Sequence, residues 1–198
     1  DSKYQNFFDE ISKKISINKI FTDKLHTLAY GTDASFYRLI PKIVIKTDNA
    51  KEVKDIIELS HSMNLSITFR AGGTSLSGQA ISDSILVITS RNFSKFKISS
   101  DASFISLEPA LTGAQVNGLL ARYSKKIGPD PASINAAMIG GIAANNASGM
   151  CCGISQNSYK TLKSMKLIFA DGAKLDTGCS ESKDAFRKSH GDFLNDLK

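Results

Sequence analysis

No stretch of this chain approaches the roughly 20 consecutive apolar residues that a membrane-spanning helix requires. The richest apolar stretch, ISDSILVITS at 81–90, is broken by polar residues every few positions. The start, DSKYQNFFDEISKK, does not read as a secretory signal, because it carries acidic residues and leads into no apolar core. Cysteine is scarce. Cys151, Cys152 and Cys179 form an odd set with two adjacent members, which suits neither a disulfide framework nor a zinc site. Reduced thiols in a cytoplasmic protein, with no metal, are the expectation. Clustered basic charge is also lacking: the net charge is +6, yet the lysines are spread out and the SKK runs at 12–14 and 124–126 lack a flanking aromatic ladder. That pattern argues against a nucleic-acid partner. A partly anionic small ligand is the economical reason for the basic bias.

What is present suits an α+β protein of one large domain or two small ones. The 198 residues are 41% hydrophobic and 22% charged, enough for a packed core. The first 29 residues read as helical, with Phe7, Phe8, Ile11 and Ile15 on one face. Gly31 and Pro41 punctuate the connection AYGTDASFYRLIPK at 29–42. KIVIK (42–46) reads as a buried strand, and Asp48 as the cap of a helix with Val53, Ile56, Ile57 and Ser60 on one side. LSITF (65–69) completes a strand–helix–strand unit, and SILVIT (84–89) adds a strand. Past residue 90 the pattern turns antiparallel. FKISS pairs with SFISLEP about Ser100 and Asp101, and SMKLIFADGAKLDTG (164–178) folds about Asp171 and Gly172. Between them Thr112 caps a helix carrying Val116, Leu119, Leu120 and Tyr123 on one stripe.

Two segments are poor in packing side chains. RAGGTSLSGQ (70–79) directly follows a strand, where Gly72, Gly73 and Gly78 allow successive amides to face a common point. Thr74, Ser75 and Ser77 add hydroxyl donors and Arg70 adds charge. The segment lacks the Lys-Ser/Thr ending of an NTPase loop and is not G-x-G-x-x-G, so a pyrophosphate suits it better than a transferable phosphoryl group. An ordinary surface loop fits the same composition. IGPDPASINAAMIGGIAANNASGMCCG (127–153) sets two prolines about Asp130 and gathers glycine and alanine around Asn145 and Asn146. A large flat ligand close to the backbone and a tight helix–helix contact are both compatible with it.

RAGGTSLSGQ, EPALTGAQVN, GPDPAS, IGGIAANNASG and FADGAKLDTG, in this order and at these spacings, resemble the FAD-binding domain of the vanillyl-alcohol-oxidase type flavoproteins. Within that superfamily the resemblance is to the D-lactate dehydrogenase and glycolate oxidase group. YGTDASFYRLIPK and GMCCG are similar, more narrowly, to large respiratory D-lactate dehydrogenases that fuse this domain to an iron–sulfur region. The likeness covers residues 28–178. It implies a helical arm over 1–38, a small α/β FAD-binding subdomain over 39–90 and a second subdomain over 91–178, an antiparallel sheet with flanking helices. Residues 179–198 would be the polar tail of a domain that continues beyond Lys198.

In such a fold FAD lies extended between the two subdomains. The resemblance sets its pyrophosphate on Arg70, Ala71, Gly72, Gly73, Thr74, Ser75 and Leu76, with Gly78 and Gln79 completing the turn toward the flavin. Pro109, with Asp130, Pro131, Ala132 and Ser133, would line the other wall. Gly140, Gly141, Asn145, Ala147, Ser148 and Gly149 would let the dinucleotide pass. Ala71 stands where the family more often has glycine. Thr74 stands where members with covalent flavin place a histidine, and His26, His61 and His190 lie outside the motifs, so non-covalent FAD is expected.

The reaction implied is oxidation of a D-2-hydroxy acid, D-lactate first, to a 2-oxo acid. Electrons would pass to an iron–sulfur centre, a quinone or a cytochrome. Glycolate or D-2-hydroxyglutarate dehydrogenation is the alternative, as is a non-catalytic nucleotide-binding module. No catalytic constellation is legible. His190, in KSHGDF, reads as a surface residue without a partner, Cys151 and Cys152 as inert, and Asp33, Tyr37 and Arg38 as anchors of the arm. The resemblance assigns the catalytic residues to a cap domain downstream, so the chain reads as a fragment that is inactive alone. Contact with the inner face of a membrane would come only indirectly, through the full-length protein.

Overall fold

The computed structural model describes residues 2–197. Phe7 and Ile11, one helical turn apart, wind α1 (Ser2–Ile11) onto the core, and both are fully buried. The chain then departs from the all-helical expectation for its first 29 residues. Ile15 is buried from a turn, and Ile20 with Phe21 form a two-residue strand, β1, before α2 (Lys24–Ala29). The β-branched IVIKT run is β2 (Ile43–Thr47), and α3 (Ala50–Ser62) leads to β3 (Ile67–Arg70) and then β4 (Ile85–Thr89). These strands make one sheet in the order β1-β2-β4-β3, parallel except where β1 meets β2. The unit β2–α3–β3 thus spans a gap that β4 fills.

β2 opens on three consecutive apolar residues and β4 on four, because both faces of the sheet are covered. On one face α1 and α3 pack Phe7, Ile11 and Ile56 against Ile43, Ile45, Ile85 and Val87. On the other, Val44, Leu86 and Ile88 meet Phe21 and Tyr30. The expected cap of α3 is corrected by one residue. Asn49, not Asp48, accepts the Glu52 amide at 3.0 Å. Asp48 is drawn elsewhere, to Lys19 Nζ at 2.5 Å and to the Ser90 hydroxyl.

The hairpin β5 (Phe96–Ile98) with β6 (Ile105–Leu107) follows, then α4 (Gly113–Leu120), started by a reciprocal capping box of Thr112 and Gln115. Val116 and Leu120 are buried as their spacing predicts; Tyr123 falls in a 3₁₀ turn and is exposed. Two short helices, α5 (Ile139–Ala144) and α6 (Ser158–Thr161), complete the first of two compact units, which part between Thr161 and Leu162.

The second unit holds the hairpin β7 (Lys166–Ile168) and β8 (Lys174–Asp176), then α7 (Ser180–Ser189) and α8 (Gly191–Asp196). Two helices therefore stand where a polar tail was expected. Phe186 is 4% exposed, packed on Phe169 and stacked on His190 with ring centres 4.1 Å apart. His190 is likewise not a partnerless surface residue. Its Nε2 lies 2.8 Å from Asp171 Oδ2 and its Nδ1 2.7 Å from the Ser189 hydroxyl.

Two stability predictions arise from this packing. Gly118 lies in α4 with open space around its Cβ position, so Gly118→Ala should raise unfolding stability by about 0.5–1 kcal/mol in denaturant titration. At Asp48, burial pushes the carboxyl pKa up, but hydrogen bonds from Lys19, Ser90 and Asn92 and the Lys19 charge outweigh it and hold the group below its ordinary value. A carboxyl lowered on folding adds stability above its unfolded pKa, about 3.9, and that share is lost as pH falls through the folded value. Stability should therefore fall less steeply in Asp48→Asn than in the parent below about pH 4.

Candidate cofactor site

β3 ends at Arg70, and the chain leaves the sheet as the loop 71–79. Tethers hold both ends of this loop. Arg70 Nη1 donates to the Thr32 carbonyl at 2.5 Å, and the Gly73 carbonyl accepts the Ala34 amide at 3.1 Å. At the far end Asp33 accepts the Ala80 amide at 3.3 Å and also that of Ser35 at 2.8 Å. The Ser75 hydroxyl ties the loop to itself, donating to Gln79 Oε1 at 3.0 Å and accepting the Ser77 and Gln79 amides at 3.2 Å each. By contrast, the amides of Ala71 through Leu76 make no hydrogen bond among the described residues. A run of such donors at the carboxyl end of a parallel strand suits a bound oxyanion.

Electrostatics brace this arrangement. Arg70 lies beneath Gly73, over the Tyr30 ring at 5.8 Å. Burial lowers its pKa, against the pull of Asp33 and Tyr30. Burial likewise raises the Asp33 carboxyl, but the Ser35 and Ala80 hydrogen bonds and the Arg70 charge outweigh it and hold the group low.

The second side-chain-poor segment meets the first. A Cβ on Gly72 would lie 2.4 Å from the Ala136 carbonyl oxygen, and one on Gly141 3.5 Å from the Ala71 Cβ. Residues 70–79 and 136–141 therefore face each other through nearly bare backbone. Pro109 closes one side, 2.7 Å from a Cβ placed on Gly140. Its carbonyl takes the Gly140 amide and that of Leu111 takes the Ile139 amide, so the start of α5 has spent two of its donors on protein. Asp130 is joined to the 148–149 stretch through the Ser148 carbonyl at 3.0 Å, and a Cβ on Gly149, at φ +154°, would fall 1.8 Å from the Asp130 oxygen. The Ser158 hydroxyl reaches the carbonyls of Ile142 and Ala147 and fixes the loop after α5.

The residues expected from sequence thus divide. Ala71, Gly72, Gly140 and Gly141 converge with Pro109, and Asp130 with Ser148 and Gly149. Thr74 is half-buried on the loop, whereas Leu76 and Gln79 are exposed. Pro131, Ala132 and Ser133 form a turn in which the carbonyls of Pro131 and Ser133 accept downstream amides. Asn145 is exposed; its neighbour Asn146 does the bonding, accepting the Tyr159 amide at 3.0 Å. Ala147 gives its carbonyl to Ser158. Asp33 and Tyr37, set aside in the sequence as arm anchors, hold the loop directly: Tyr37 Cδ2 sits 3.0 Å from the Cβ position of Gly78. The short-range signal for Asp33 was legible, since aspartate two residues before a free amide favours an Asx turn. Nothing local announces the Tyr37 contact. Among the described residues no cluster of metal-ligating side chains occurs.

Residues 41–178 match the family described as the FAD binding domain. The chain is 26% identical over 176 residues to D-2-hydroxyglutarate dehydrogenase of Escherichia coli (strain K12), covering 87% of this chain and 17% of that protein. It is 25% identical over 141 residues to D-lactate dehydrogenase of Archaeoglobus fulgidus, covering 69% of this chain and 31% of that protein. The chain accordingly spans less than a third of the length of these relatives. Alkyldihydroxyacetonephosphate synthase has the same fold, with a TM-score of 0.76 at 18% identity over 90% of this chain and 37% of that one.

The close approaches predict two contrasting outcomes. Gly149→Ala sets a side chain against the Asp130 carbonyl at a positive φ and should cost about 3 kcal/mol or more of stability. Gly141→Ala meets ordinary contact inside a helix, so its unfolding midpoint should match or exceed the parent's.

Proposed function

The chain belongs to the FAD binding domain family, and from that premise we propose that it is the flavin-binding portion of a larger dehydrogenase oxidising a D-2-hydroxy acid to a 2-oxo acid. The observation that carries this reading is the run of acceptor-free amides from Ala71 to Leu76, in a loop whose Gly72 abuts Ala136 and whose Ala71 abuts Gly141. That donor set fits a diphosphate. Backbone amides in a loop already tethered at both ends need little reorganisation when an anion arrives.

FAD, when bound, supplies the two-electron acceptor for the hydroxy acid. The chain's own residues bind and orient it. Amides 71–76 and the Thr74 hydroxyl receive the pyrophosphate, while Arg70 and Asp33 keep the loop's ends fixed. Pro109 and the turn at Asp130–Ser133 form the opposite wall. Asn145, Ala147, Ser148 and Gly149 would border the dinucleotide, and Gly78 with Gln79 would complete the loop on the flavin side. Thr74 has no ring nitrogen to tether flavin, and His26, His61 and His190 all lie outside the loop, so the cofactor would be held non-covalently. The group that takes the hydroxyl proton belongs to the remaining length of the whole protein. So does the route of electrons to an iron–sulfur centre, quinone or cytochrome.

D-Lactate is the first substrate to test. A second reading, D-2-hydroxyglutarate, is favoured by the relative of that name, whose similarity extends over more of this chain, 87% against 69%. The whole protein would work in the cytoplasm. No helix of the described residues is long and apolar enough to cross a membrane.

The full-length protein should purify yellow and give up all its flavin on acid precipitation. Its flavin absorbance should bleach anaerobically with D-lactate or D-2-hydroxyglutarate and persist with the L enantiomers. Colour left on the precipitated polypeptide rejects non-covalent binding, and flavin that no D-2-hydroxy acid bleaches rejects the reaction. Gly141→Ala, stable as predicted above, should weaken FAD binding at least about tenfold, equivalent to about 1.4 kcal/mol. Unchanged affinity would remove the dinucleotide from that surface.

A further inference from the structure

The 30–40 arm precedes residues 41–178, the part of the chain that matches the FAD binding domain family. Packing holds little of it. From Ala34 to Ile40 no side chain is buried, and Phe36 is fully exposed. A segment with so little buried apolar surface keeps its shape through hydrogen bonds. Some of these are internal: Thr32 bridges to Arg38, the Gly31 carbonyl accepts the Leu39 amide, and the Asp33 and Ser35 side chains accept amides two residues on. Others reach the glycine loop and its flanks. The Ala34 amide donates to the Gly73 carbonyl, Asp33 accepts the Ala80 amide, and Thr32 accepts from Arg70.

The loop depends on the arm in turn. Its residues with positive φ are Gly73 and Gly78, at +66° and +72°. Glycine enters that region about as readily as it leaves, so such a conformation has to be held from outside. The arm touches both points. Ala34 holds the Gly73 carbonyl at 3.1 Å, and the Tyr37 ring lies 3.0 Å from the Cβ position of Gly78. Arg70, whose guanidinium sits under Gly73, is itself faced by the Asp33 charge. Ala136 braces the loop at Gly72, which leaves the stretch beyond, 73–80, to the arm.

Resting on the flavin-binding reading above, we propose that arm and loop close as one cooperative unit, that the closed unit is the form that binds FAD, and that Asp33 and Tyr37 are positioning residues acting on the cofactor through the loop. The working cofactor site therefore begins ahead of residue 41, where the family match starts. The coupling is reciprocal: whatever the closed arm adds to FAD binding, bound FAD returns to the arm as resistance to opening.

The test uses the full-length protein, stripped of flavin and titrated with FAD by flavin fluorescence. Asp33→Asn keeps an oxygen for the Ser35 amide but loses the Ala80 tether and the charge facing Arg70, so the FAD Kd should rise about 10-fold. Tyr37→Ala should raise it at least about fivefold. Tyr37→Phe, which keeps the ring on Gly78, should bind FAD as the parent does. Asp33 and Tyr37 lie in neither core cluster, so the unfolding midpoint of the flavin-free protein should stay close to the parent's in every variant. Hydrogen exchange gives a readout that a merely structural anchor would not move: in the parent, FAD should slow exchange over residues 33–40 at least about fivefold. Parent-like FAD affinity in both Asp33→Asn and Tyr37→Ala overturns the proposal, as does FAD binding that leaves exchange over 33–40 unchanged. If the parent binds no FAD, the flavin-binding reading fails, and exchange in the flavin-free protein still decides the coupling. Asp33→Asn should then speed the Leu39 amide, held inside the arm, and the Ser77 and Gln79 amides, held inside the loop by Ser75, by the same factor. Acceleration of Leu39 alone overturns the shared opening. Should Asp33→Asn not fold, Tyr37→Ala and Tyr37→Phe carry the same comparison.

Discussion

Main chain pressed against main chain is the constraint on which the candidate site depends. Gly72 reaches the Ala136 carbonyl and Gly149 the Asp130 carbonyl at separations that admit no β-carbon, and Gly140 is packed as closely on the rigid Pro109 ring. A contact of this kind cannot be adjusted by a rotamer change. The segments it joins, 70–79, 109–113, 130–137 and 138–149, are therefore held at fixed distances although they are far apart in the chain. A surface that depends on backbone donors needs such stiffness, because an amide aimed a few tenths of an ångström wrong loses most of its hydrogen bond.

The parallel sheet supplies the other fixed reference. β4 lies between β2 and β3, its apolar residues anchor both faces, and the end of β3 is fixed by its parallel pairing with β4. From that end the loop swings out under a tether at each side, Arg70 to Thr32 and Asp33 to Ala80. Both tethers come from the arm before β2, which is why the arm and the loop behave as one element. The charged pair does structural service here, and the donors left for a ligand are uncharged amides. This division suits a site for an anionic cofactor: the charges that fix the loop are satisfied before any ligand binds, so binding need not break them.

The strands and the principal helices could be read from residue patterns, because periodicity and capping are local properties. KIVIK, SILVIT, the Asp171–Gly172 hairpin and the Thr112 cap with its Gln115 partner each announce themselves within a few residues. Errors arose where a local choice was settled at long range. Asp48 and Asn49 are both good caps, and the decision came from Lys19 and Ser90, which are remote in sequence and claim the aspartate. Phe186 hides among lysines and acids, so its segment looked like a polar tail until its ring was found between Phe169 and His190. The same packing gave His190 its partner.

The glycines show the limit most clearly. The chain's own letters marked where the backbone is bare, in RAGGTSLSGQ and IGGIAANNASG, because a missing side chain is visible in any sequence. What each bare position faces was a tertiary matter. Gly149 makes room for Asp130, Gly140 for Pro109, and the amides of 71–76 keep their donors only because Ser75, Asp33 and Arg70 bind the loop elsewhere. Composition thus determined the places where close approach is permitted. The fold alone decided which approach is filled by protein and which stays open to a ligand, since that depends on distances between segments that no local pattern encodes.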